Sequence, residues 1–185
     1  MINKLVLVSG NNAKAAEIER ILQIPIERVN KDIDEIQSMD PEVIILRKLN
    51  KAFKIVRKPV IVDDVSFEVE AWNGFPGPLI KWLLEAKNDP SLMLRMLKGE
   101  TNRNAVARLF IGFHDGKNSH IFKGEVRGVI SQEIRGDNGF GWDKVFIPEK
   151  HDQTFAEMPA EQKDAMSHRG RALSKLKEYL DSQKT

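Results

Sequence analysis

The chain has 185 residues, 41% of them apolar, and its 29 basic residues stand against 27 acidic ones for a formal charge of +2. That is enough apolar material for one domain with a real core, or for two small lobes sharing a sheet, and it leaves no polybasic surface for nucleic acid or an anionic membrane. No cysteine occurs, which excludes disulfides, thiolate nucleophiles and thiolate-ligated zinc or iron, and fits a cytoplasmic protein. The first apolar run is too short for a signal sequence or a membrane span.

Leu5-Val6-Leu7-Val8 reads as a buried strand, Ser9-Gly10-Asn11-Asn12-Ala13-Lys14 as a loop, and Ala15, Ile18, Ile21 and Leu22 as one face of a helix. The first N–H groups of such a helix have no internal partner and carry the positive end of its dipole, and Lys14 adds a full charge, so the junction suits phosphate. It lacks the spaced glycines and Gly-Lys-Ser/Thr ending of a Walker A loop. A tight turn with Asn12 as N-cap fits the same residues. Asp40-Pro41-Glu42 then predicts a helix start, continued by Ile45, Leu49, Ala52, Phe53 and Val56 and broken by Pro59. Val60-Ile61-Val62 predicts a buried strand ending at Asp63-Asp64, and alternation of this kind points to an α/β sheet. A second extended piece runs from Phe67 to Trp72, followed by the turn Asn73 to Pro78, a helix around Ile80, Leu83 and Leu84, and another from Asp89-Pro90 to Gly99. Ala105 to Phe113 and Ser119 to Ile130 read as strands joined at Asp115-Gly116, an antiparallel insert at about residues 100–135 within a single domain of 1–185. A glycine-rich loop, Asp137 to Asp143, precedes a strand at Lys144 to Ile147. Helices at Pro159 to Met166 and Ser167 to Leu180 close the chain, with Ser182 to Thr185 as a frayed end.

Asp63 and Asp64 sit at a strand end, where open α/β sheets bind ligands. Adjacent side chains there point to opposite faces, so one faces a site and the other caps or pairs nearby; both also fit ordinary turn carboxylates. Glu35 offers a further carboxylate, and one or two acids with substrate phosphates are how Mg²⁺ is usually held. Lys14, Lys48, Lys81 and Lys163 are not separable from solvated lysines by local pattern. Phe140 and Trp142 flank Gly141 and fit either stacking on a base or packing onto the sheet. Ser167-His168-Arg169 offers two donors at a helix start, or simply a capped surface helix.

Six ordered fragments resemble the inosine and xanthosine triphosphate pyrophosphatase family: Ser9-Gly10-Asn11 with Lys14 and Glu17; the acid pair at 63 and 64; Gly74 to Pro78 with Ile80-Lys81-Trp82; Phe140-Gly141-Trp142-Asp143; Thr154 to Met158; and Ser167-His168-Arg169 ahead of Ala172-Leu173. The likeness spans nearly the whole chain and is nearer the eukaryotic branch at Pro76 to Trp82 and at Trp142. It implies an elongated mixed sheet flanked by helices, two lobes with the nucleotide cleft between them, and a homodimer. It implies that Ser9, Gly10, Asn11, Asn12, Ala13 and Lys14 hold the triphosphate, that Glu35 and Asp64 hold Mg²⁺, and that Asp64 takes the proton from the attacking water. Lys48, Lys81 and Lys163 map to phosphate or sugar contacts, Phe140, Gly141, Trp142 and Asp143 to the base pocket, and His168 and Arg169 to the 6-keto edge. The implied reaction releases a nucleoside monophosphate and pyrophosphate from ITP, dITP or XTP. One departure stands out: Val65-Ser66-Phe67 follows the acid pair where the family usually has a Ser or Thr first, which leaves a nucleotide-binding module of the same fold with impaired or lost hydrolysis as the rival reading.

Overall fold

The computed structural model describes residues 4–31, 33–85 and 89–183; Asp32 and the last two residues of the expected frayed end lie outside this set. Strand β1 (Leu5–Val8) is wholly buried, as its unbroken apolar run requires. Helix α1 (Asn12–Leu22) follows and buries Ile18 and Leu22. The cap is Asn11, not Asn12: its Oδ1 accepts the Lys14 N–H at 3.3 Å, while the Asn11 N–H donates to Ser9 Oγ at 3.2 Å. Strand β2 (Ile26–Val29) then pairs in parallel with β1. Helix α2 (Pro41–Val56) starts as expected, with the Asp40 carboxylate accepting from the Glu42 and Val43 N–H groups, and ends at Arg57 in a left-handed conformation.

Strand β3 (Val60–Val69) does not end at the acid pair but runs ten residues through it, so the expected second extended piece is the same strand. It pairs in parallel with β1, Val6 opposite Val60 and Leu7 opposite Ile61. After a 3-10 turn at Glu70–Trp72, the two-residue β4 (Pro76–Gly77) folds back antiparallel on β3. Helices α3 (Ile80–Glu85) and α4 (Ser91–Met96) lead to the long strands β5 (Asn104–His114) and β6 (Ser119–Ile130). Their turn is tied by Asp115 Oδ1, which accepts from the Lys117 and Asn118 N–H groups at 2.7 Å. Lys144 belongs to a 3-10 turn, Gly141–Lys144, and the strand after it, β7, covers only Phe146–Pro148. Helices α5 (Ala160–Met166) and α6 (His168–Ser182) complete the chain.

The sheet is mixed and seven-stranded, in the order β2-β1-β3-β5-β6-β7 with β4 attached to β3. The chain divides into two compact units: residues 1–64, 109–124 and 169–185 form the first, and 65–108 and 125–168 the second. The first has a core of Val6, Val8, Ile45, Leu49, Val60 and Val62 under α2. The second is built around Phe67, Met93, Trp142, Phe146 and Phe155.

Candidate functional site

In the first unit, charged groups gather just beyond the end of β1, around Asp63 and Asp64 in the middle of β3. Lys14, one turn into α1, reaches Asp63 Oδ2 at 3.0 Å, which brings the start of α1 to the acid pair. Arg169, at the start of α6 and only 2% exposed, donates to Glu17 Oε2 at 2.6 Å and to Asp63 Oδ2 at 3.5 Å. Across the strand, Lys48 of α2 is 2.5 Å from Glu35 Oε1 and 3.5 Å from Asp64 Oδ1, and donates to the Asp63 carbonyl at 3.0 Å. Strand alternation thus gives the two aspartates separate cations: Lys14 and Arg169 for Asp63, Lys48 for Asp64.

The two carboxyls respond differently. Burial pushes Asp64 up to about 6, with Lys48 pulling against the shift and Glu35 adding to it. Burial opposes charge on Asp63 too, yet Lys14, Arg169 and Lys48 outweigh it and hold that carboxyl well below the usual range. Burial likewise opposes the Lys48 charge, and Asp64, Asp63 and Glu35 more than offset it, so its ammonium is held more firmly than an ordinary lysine's. Among the described residues no group of three or more His, Cys, Asp or Glu converges as a ready cage for a metal; Glu35 and Asp64 converge as a pair.

The second unit holds the aromatic loop. Trp142 is core, its ring 4.4 Å from Phe67 and 5.5 Å from Phe146, while Phe140 stays 39% exposed. Asp143 Oδ2 accepts the Phe140 N–H and the Lys163 ammonium, each at 2.8 Å, and Lys163 also lies over the Phe140 ring at 5.4 Å. His168 is buried, 5.2 Å from the Trp142 ring and stacked on Phe155. The Thr154-to-Met158 fragment is the loop's underpinning. Arg135 forks onto the Glu157 carboxylate at 2.8 and 3.2 Å, Thr154 Oγ1 donates to the Arg135 carbonyl, and the Asn138 N–H donates to the Ala156 carbonyl.

The structure therefore assembles Ser9 to Lys14, Glu35, Lys48, Asp64 and Arg169 within one unit, and Phe140 to Asp143, Lys163 and His168 within the other. Lys81 joins neither set: it is exposed on α3, its ammonium 5.5 Å from the Trp82 ring. Val65 is half-buried against the second unit's core, and Ser66 Oγ, on the Asp64 face of β3, donates to Glu68 at 3.1 Å. Two residues with no assigned role proved structurally central, Asp63 and Glu17. The Glu17 to Arg169 contact joins residues 152 apart in sequence, so only the i, i+3 spacing of Lys14 and Glu17 on α1 hinted at a shared charged face. An open cavity of 660 Å³ in the second unit, lined by Thr101, Arg103, Asn104, Ile130, Arg135 and their neighbours, contains none of the expected site residues.

Paired acids and cations just beyond the carboxyl end of β1, beside the amide-rich start of a helix, define an α/β protein that receives an anionic ligand there. The Ham1 family profile matches residues 5–179, and the chain belongs to that family. The dITP/XTP pyrophosphatase of Saccharolobus solfataricus is 41% identical over 97% of this chain and 94% of its own length. The inosine triphosphate pyrophosphatase of Schizosaccharomyces pombe is 37% identical over 100% and 98%. Among solved structures, a HAM1 protein from Coxiella burnetii superposes with a TM-score of 0.83 at 30% identity, covering 97% of this chain and 98% of its own.

Proposed function

We propose that this protein hydrolyses the non-standard purine nucleoside triphosphates ITP, dITP and XTP to the nucleoside monophosphate and pyrophosphate, removing them from the nucleotide pool. Relatives named for these activities match it over nearly their full length. The observation that carries the mechanism is the meeting of Glu35 and Asp64 at one buried ammonium. Two carboxylates held at the place of a cation, with only oxygen donors, fit Mg²⁺, which keeps few protein ligands and completes its shell with water and substrate phosphates. When bound, Mg²⁺ would neutralise charge on the phosphate oxygens as a Lewis acid.

The chain's own residues supply the rest. The backbone of Ser9 to Ala13 and the Lys14 ammonium hold the triphosphate, Lys48 and Lys163 add positive charge toward phosphate or sugar, and Lys81, outside both assembled groups, would do so only from its exposed place on α3. Asp64, buried and with its pKa raised to about 6, accepts the proton of the water that attacks the α-phosphorus. It is ionised at neutral pH yet more basic than an ordinary carboxylate, as a general base should be. Phe140 offers its exposed face to the base, with Gly141, Trp142 and Asp143 shaping the pocket. His168 and Arg169 donate to the 6-keto oxygen, Arg169 being kept charged and oriented by Glu17 and Asp63. A 6-amino group would set donor against donor there, and an unpaired buried donor costs about 1–3 kcal/mol, so adenine is rejected.

The cysteine-free composition suits the cytoplasm, and no helix among the described residues is long and apolar enough to cross a membrane. A homodimer is the assembly the family resemblance implies, and sedimentation equilibrium tests it. The deciding experiment for the activity is a steady-state screen of purine triphosphates with Mg²⁺, with pyrophosphate and phosphate detected separately. Pyrophosphate from ITP and XTP but not ATP is the expected result; nucleotide binding without pyrophosphate release would overturn it.

A further inference from the structure

We infer that Lys48 is a place-holder for the divalent cation: its ammonium keeps Glu35 and Asp64 together and competes with the metal for them, so that metal and triphosphate bind with positive coupling. This rests on the metal-site reading of Glu35 and Asp64 proposed above. The ammonium donates to Glu35 Oε1 at 2.5 Å and to the Asp63 carbonyl at 3.0 Å, pairs with Asp64 Oδ1 at 3.5 Å, and its side chain is only 13% exposed. A cation inserted between the same two carboxylates meets a like charge at close range, in surroundings that screen it little. One of the two must leave.

The lysine is able to leave. Its backbone is fixed by α2, whose neighbouring Ile45 and Leu49 are fully buried, but its charge rides on a flexible four-carbon stem. A triphosphate placed at Lys14 gives the ammonium a new anionic partner, and each such departure frees Glu35 and Asp64 for metal. By linkage the effect is reciprocal: metal that evicts the ammonium favours triphosphate by the same factor. Lys51 provides the contrast. It sits three residues further along α2, has its side chain 44% exposed and bonds the Asp34 carbonyl at 2.7 Å. Its removal changes net charge by the same amount without touching the acid pair.

The test is isothermal titration of Mg²⁺ into the full chain, as wild type, K48M, K48Q and K51M, alone and with an ITP analogue carrying a non-hydrolysable imido α–β bridge. Mg²⁺ alone should bind K48M and K48Q at least about fivefold more tightly than wild type, the lower end of typical site-to-site coupling, and K51M within twofold of wild type. The analogue, whose phosphates also ligate the metal, should tighten Mg²⁺ in both proteins, but by at least about fivefold more in wild type, where it also draws the ammonium away, than in K48M. K48Q, which keeps a polar group against Glu35, carries the comparison if K48M melts early. Equal affinity in wild type and both Lys48 variants, or an equal gain in K51M, would overturn the place-holder role. Unchanged Mg²⁺ binding in E35Q and D64N would overturn the metal-site reading itself, and this inference with it.

Discussion

Asp63 and Asp64 share a peptide bond and the nearby Lys48, but their carboxylates take different partners, because a strand sends consecutive side chains to opposite faces. Asp64 is expected to act in chemistry, so Asp64→Asn should lower kcat on ITP by at least about a hundredfold, the lower bound for a positioned general base, with an unchanged circular dichroism spectrum. Asp63 is not idle on its own face. Its carboxylate balances Lys14 and Arg169, and removing one partner from a buried charge set costs about 3–5 kcal/mol. Asp63→Asn should therefore lower the melting temperature by roughly ten degrees, at about 2–4 °C per kcal/mol for a chain of this size, and raise KM through a displaced Lys14. A melting temperature for Asp63→Asn equal to that of the wild type would show that the Asp63 cluster contributes no stability.

At the scale of elements, the loop from Gly136 to Asp143 is held by a few side chains rather than by a ladder. Gly139 has φ +71°, and a Cβ there would stand 2.2 Å from Asp143 Oδ2, the atom that holds Phe140 and Lys163. Gly139→Ala should lower the melting temperature by several degrees and raise KM for ITP more than it lowers kcat; an unchanged KM would mean that the loop does not present the base platform. The same scale shows what the sequence could and could not disclose. Helix α2 was legible because Asp40, Pro41 and a continuous apolar stripe agree, and β6 because its hairpin turn is chemically explicit. Strand β2 was not: Ile26-Glu27-Arg28-Val29 is a short edge strand with charges at half its positions, so it lacks strand periodicity. Adjacent aspartates read as a strand end because carboxylates are rarely buried in mid-strand, and the cations that make it possible come from α1, α2 and α6. Trp142 looked like a loop residue because local pattern does not record that its loop folds onto the second unit's core.

For the molecule as a whole, the opposed aspartates dictate how stability follows pH. The Asp64 pKa is raised in the fold, from 3.8 to about 6, so its contribution is fully present below the unfolded value and is lost as pH rises through about 6. The Asp63 pKa is lowered, so its contribution is present above the unfolded value and is lost as pH falls through the folded one. Protein stripped of divalent ions with a chelator should therefore melt highest, as far as this pair decides, near pH 4, and lose stability between about pH 4 and 6. Between pH 5 and 8 it should lose about 1.4 kcal/mol from Asp64, roughly half the full effect of the shift because the other half is lost between pH 3.8 and 5, or roughly three to six degrees. Magnesium should restore much of that loss at pH 8 and little at pH 5, because it binds the ionised carboxylate. Asp64→Asn removes the titrating group, so its melting temperature should be flatter across the same range and respond weakly to magnesium. Melting curves of wild type and Asp64→Asn from pH 3 to 8, with chelator and with magnesium, check these expectations. A wild-type decline that persists undiminished in Asp64→Asn would assign the pH dependence to another group and remove the case for Asp64 as a carboxyl poised near neutrality.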